Sequence, residues 1–143
     1  MNKKTLFWLK KNNFNPLDIN MQDNYGNTAL MKAAMEGNID VFEDLLNNGA
    51  DIFIKNNDGN SVLWFACFSN SKKIVEILIK KNIEIDTVNE NGVTPLMYAA
   101  STGKNEIAAM LIKAGADKNI KNLDGFSAVD LAVTPQILRL LRN

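Results

Sequence analysis

Cys67 is the only thiol in a chain of 143 residues that contains no histidine. Cys–His and Ser–His–Asp nucleophile sets are therefore absent, as are zinc sites built on histidine or on several cysteines. Carboxylates and lysines are what remain for chemistry. A proton-transfer site made from them needs an acid and an amine held within hydrogen-bond reach, and Glu36, Glu90 and Lys32 are the candidates for such an enzyme. The stretch "NNDGNS", residues 56–61, is rich in oxygen ligands, but it lacks the alternating acidic positions and distal bidentate Glu of a calcium loop. No phosphate loop, dinucleotide fingerprint or nucleophile elbow is present, so neither a cofactor nor a metal is expected.

Charge excludes further classes. Sixteen Lys and Arg balance sixteen Asp and Glu, leaving no net field to draw nucleic acid or an anionic membrane. Lys72, Lys73, Lys80 and Lys81 are interleaved with "IVEILI", as on the wet face of a helix. The apolar run Leu6 to Leu9 is too short for a signal peptide and no segment is long enough to span a bilayer. A lone cysteine suits a reducing compartment. A cytoplasmic protein is the expectation.

The elements that must position these residues repeat. Gly26, Gly59, Gly92 and Gly125 lie 33 residues apart. Gly37, Asn70 and Gly103 form a second family in that frame, and Gly49, Asn82 and Gly115 a third. Where glycine is missing the frame uses Asn, the other residue that tolerates positive φ, so these positions are expected to be left-handed. Leu30, Leu63, Leu96 and Val129 correspond, as do Ala33, Ala66, Ala99 and Ala132, and then Ala34, Cys67, Ala100 and Val133. Their i, i+3, i+4 spacing is one helix face. Val41, Ile74 and Ile107 begin a second helix, with Leu45/Leu46, Leu78/Ile79 and Leu111/Ile112 following. Thr28, Ser61, Thr94 and Ser127 stand at the N-caps, with Pro95 at a first helical position. Asp23, Asp58, Asn91 and Asp124 are expected to accept from turn amides. Cys67 reads as an inert core residue.

The segment "NGVTPLMYAASTGKNEIAAMLIKAGADKNIKN", residues 91–122, resembles an ankyrin repeat, in which a Thr-Pro-Leu-His-x-Ala-Ala opening leads to a second helix ending Leu-Leu-x-x-Gly-Ala-Asp. The resemblance covers about residues 23–141. It implies an all-α repeat solenoid of helix-turn-helix units joined by hairpin loops, with about four repeats and an N-terminal cap in a single domain. Residues 1–22 would be the cap, then 23–55, 56–88 and 89–121 three repeats, and 122–143 a shortened last repeat opened by Thr134 and Pro135. Met31, Trp64, Met97 and Asp130 stand where the family has histidine. Packing between repeats replaces the histidine's hydrogen bonds at the first three, and Asp130 keeps a polar tie.

The resemblance also implies a function: binding a protein through the concave groove and loop tips, as a small adaptor or as an inhibitor of the immunity type. The groove positions would be Lys32, Met35, Phe65, Phe68, Tyr98 and Ser101, with Tyr25, Asp58, Glu90, Val93 and Phe126 at the tips. This row is more apolar than a surface that meets only water. The free chain would be a monomer; the alternatives are a self-associating structural protein or the carboxylate–lysine enzyme above.

Overall fold

The computed structural model describes residues 1–142 as nine helices, with no strand among the described residues. They are α1 Lys3–Lys11, α2 Ala29–Glu36, α3 Ile39–Asn47, α4 Val62–Phe68, α5 Lys72–Lys80, α6 Pro95–Ser101, α7 Asn105–Lys113, α8 Ala128–Leu131 and α9 Pro135–Arg142. An inner layer runs α2–α4–α6–α8 and an outer layer α1–α3–α5–α7–α9, each helix packed on its neighbours in the layer. None is long and apolar enough to cross a membrane. This is the all-α repeat solenoid expected from the sequence.

The frame explains both where helices start and where they stop. Thr28 and Thr94 accept through Oγ1 from the amides of Met31 (3.2 Å) and Met97 (3.1 Å). The ten glycine and asparagine positions of the frame, six just past helix ends and four in the turn tips, all adopt left-handed φ, between 56° at Asn70 and 98° at Gly115. At Gly26 the reason is also steric, since a Cβ there would come within 2.7 Å of the Asn57 amide nitrogen in the next turn.

The apolar frame forms the core. Leu30, Leu63 and Leu96 are buried with Ala33, Ala66 and Ala99, and the outer helices add Val41, Ile74 and Ile107 with Leu45, Leu78 and Leu111. Each fully buried aliphatic side chain contributes about 1.5–3 kcal/mol. The alanines let inner helices approach closely, so one repeat's core is continuous with the next.

Four local expectations change. Ser61 occupies the N-cap of α4, but its hydroxyl is buried without a partner, because the Trp64 amide that it would cap bonds instead to the Ser61 carbonyl at 3.1 Å. The turn acceptors are Asp23, Asn56, Asn89 and Asn122, rather than Asp58, Asn91 and Asp124. Each takes the amides two and four residues ahead at 2.9–3.1 Å, and successive tips are laced by Asn57 N–H to Tyr25 O, Glu90 N–H to Asp58 O and Leu123 N–H to Asn91 O. Val133 is exposed rather than core. The last inner helix stops at Leu131, Ala132 turns extended, and Pro135 disfavours helical backbone in the residue before it. Asp130 takes the amide (2.9 Å) and hydroxyl (3.1 Å) of Ser127, so its carboxylate closes its own helix's first turn.

Thr134 and Pro135 open α9 as expected, with the Ile137 amide donating to Thr134 Oγ1 at 3.2 Å. At the other end α1 sits on α3, about three residues earlier in the frame than the other outer helices.

Candidate protein-binding groove

The inner helices present one residue in three or four to the side bounded by the turn tips. Lys32, Phe65 and Tyr98 are equivalent in the frame, as are Met35, Phe68 and Ser101. At the N-terminal half, Lys32, Met35 and Phe65 line a cleft of about 360 Å³ together with Tyr25 and Asn27 from the first tip and Asn12 to Phe14 from the cap. Thus tip, inner helix and cap converge on one concavity.

Phe65 differs from expectation. It is only 7 % exposed and belongs to the core. Trp64 packs edge-on against it at 5.3 Å, and it shares the cleft floor with Met31 and Met35. Helical position alone left it on the boundary between faces, and the bulky neighbours on α2 and α4 close over it. Phe65 therefore shapes the cleft from below rather than projecting into it.

Phe68 is 47 % exposed. Its ring stacks on Trp64 at 5.8 Å, while Trp64 meets Tyr98 of the next repeat at 4.8 Å. Trp64 itself is half-buried, whereas its equivalents Met31 and Met97 are almost wholly buried. It does pack between repeats as expected, yet part of its indole stays exposed beside Phe68 and Tyr98. Sequence reasoning left it out because its slot is a packing slot in the neighbouring repeats. The signal available was size: an indole is too large for a position that methionine fills completely.

Lys104 was also missed. Its ammonium lies 6.0 Å from the Tyr98 ring centroid and donates to the Phe68 carbonyl at 3.2 Å. It thus ties the third repeat to the end of α4 beside the aromatic cluster. Burial raises the Tyr98 hydroxyl above its ordinary pKa, with Cys67 adding to the effect, so the phenol stays neutral and able to donate.

The remaining candidates are arranged more loosely. Tyr25, Asp58, Glu90 and Phe126 are exposed at successive tips, Val93 is half-buried beside them, and Ser101 is exposed but donates to the Tyr98 carbonyl at 3.0 Å. Lys32 and Glu36 form a solvent-exposed i,i+4 pair at 3.8 Å, and Glu36 also accepts from the Trp8 indole at 2.9 Å. Glu90 lies two repeats along, roughly 8–10 Å per helix step. Of the three groups named for proton chemistry, only Lys32 and Glu36 meet, as an exposed pair, and Glu90 is two repeats away from them. Cys67 is fully buried, and burial pushes its thiol up to about 12. Among the described residues, no cluster of three or more carboxylates and thiols is placed to hold a metal.

A family model for ankyrin repeats (3 copies) matches residues 2–56 and 31–122. No curated protein matches the chain. Ankyrin repeats are generally protein–protein interaction modules, typically without catalysis. The 33-residue frame, the paired helices with left-handed corners, the laced tips and a match across most of the sequence lead to one conclusion: the chain belongs to the ankyrin-repeat family.

Proposed function

We propose that the chain is a non-catalytic module that binds a partner protein along its inner-helix face and tips. Its role would be that of a small adaptor, or of an inhibitor that covers a functional surface. The observation that supports this is the cluster of Trp64, Phe68 and Tyr98, which spans two repeats and leaves aromatic surface on the groove side. Aromatic anchors dominate binding energy, at roughly 2 kcal/mol or more for a true hot spot. Here the rings are pre-set by each other and by Lys104, so less side-chain freedom is lost on contact. Tyr25 and Phe126 at the tips extend the surface towards both ends.

On this reading the free protein is a cytoplasmic monomer, and sedimentation at rising concentration gives one unchanging mass. The function is tested by capture from the source cell's lysate, with wild type beside the double variant Phe68→Ala/Tyr98→Ala, both confirmed folded by circular dichroism. A protein retained by the wild type and lost by the variant supports the reading. Equal retention places the interface elsewhere and overturns the groove assignment.

A further inference from the structure

The zero net charge hides a segregation. Residues 1–17 carry Lys3, Lys4, Lys10 and Lys11 and no acidic residue, which leaves twelve basic against sixteen acidic residues in the rest of the chain. Helix α1 carries this charge at the end of the solenoid, packed on α3 alone among the outer helices. Thr5 and Leu9 are its buried side. On the opposite side Phe7 is 70 % exposed and Leu6 lies beside it, partly exposed. Helical spacing places Lys3 one turn before Phe7 and Lys10 at i+3, so the exposed apolar pair is flanked by cations, while Lys11 lines the cleft shared with Tyr25 and Lys32.

The acidic groups near α1 are occupied on its α3 side. Asp40 pairs with Lys4 at 3.0 Å, Asp44 accepts from the Asn2 amide at 3.0 Å and Glu36 accepts from Trp8. None of the described ion pairs engages Lys3, Lys10 or Lys11. A helix face with exposed apolar side chains among lysines fits a deformable, anionic interface. A folded protein partner would need a matching acidic groove.

We propose that the outer face of α1 docks on an anionic lipid surface. Phe7 and Leu6 enter the headgroup layer, and Lys3 and Lys10 lie against the lipid phosphates. Contact is weak and reversible, because only two apolar side chains are offered, and it depends strongly on salt.

The test is co-sedimentation of the full chain with vesicles of phosphatidylcholine alone and of phosphatidylcholine mixed with phosphatidylserine. The expected result is binding only to the mixed vesicles, reversed by high salt. Each lysine removed in Lys3→Gln/Lys10→Gln should weaken binding about fivefold, and Phe7→Ala should weaken it with no loss of fold, since the side chain is exposed. Phe68→Ala/Tyr98→Ala should bind vesicles like wild type. Equal binding to both vesicle types, or no effect of the α1 variants, overturns the proposal. So does a lack of vesicle binding with an acidic protein captured by wild type and lost by Phe7→Ala, which assigns the face to that protein.

Discussion

Phe65 and Phe68 are three residues apart on one helix, yet truncating them should have opposite consequences. Phe65 is 7 % exposed, so Phe65→Ala removes a core ring and leaves a cavity that the surrounding repeats cannot fully close. Such a change costs about 3–5 kcal/mol. Phe68 is 47 % exposed, so about half of the ~1.5–3 kcal/mol of a buried side chain is at stake, plus a share of its stack on Trp64, worth about 0.5–1.5 kcal/mol. The loss for Phe68→Ala should be about 2 kcal/mol at most. Urea unfolding followed by far-ultraviolet circular dichroism measures both, since the fluorescence of Trp64 would report local contacts as well as unfolding. Phe65→Ala should lower the midpoint by at least half as much again as Phe68→Ala, with the slope unchanged. Equal losses, or a larger loss for Phe68→Ala, would place Phe68 in the core and remove the exposed aromatic surface on which the binding role rests.

Other outcomes follow from the same geometry. Gly26→Ala should be far more damaging than Gly37→Ala in thermal unfolding: both have left-handed φ, about 1–2 kcal/mol of strain for a side chain, but only Gly26 would drive a Cβ against the Asn57 backbone. The Cys67 thiol, held up to about 12 against 9.0 for an unhindered one, is neutral in both folded and unfolded chains at lower pH. Between those values only the unfolded chain ionises, so stability falls as pH rises, by up to about 1.4 kcal/mol per pH unit. Cys67→Ala, which installs the residue of the equivalent positions 34 and 100, should lose less over that window, and an identical pH dependence of the two would contradict the assignment. Hydrogen exchange should show α4 to α7 opening last and the terminal helices first; a centre that exchanges before both ends would refute the nearest-neighbour picture.

Much of the fold was legible because it is written in backbone conformation. A left-handed corner admits few residues, so a 33-residue series of Gly and Asn fixes the period, and the period fixes which Leu and Ala residues face inward. Local competition was not legible. Ser61 looks like Thr28 and Thr94, but the Trp64 amide takes the carbonyl in place of the hydroxyl. Asn56 and Asp58 are both plausible turn acceptors, and only the chain path selects Asn56. Tyr25, Phe68 and Phe126, assigned to tips and groove through the family resemblance, are exposed. The burial of Phe65 and the partial exposure of Trp64 were not legible, because both depend on the volumes of neighbours in adjacent repeats. The charge on α1 was hidden by summing over the whole chain.

The central claim, that a partner protein covers the aromatic face, is tested most directly by the emission of Trp64. In a Trp8→Phe variant the indole of Trp64 is the only tryptophan reporter. Titration with the captured partner should shift its emission to the blue and saturate with the stoichiometry found by sedimentation. Saturable binding by sedimentation with no change in that emission would mean that the aromatic cluster stays in water, and the groove would not be the site.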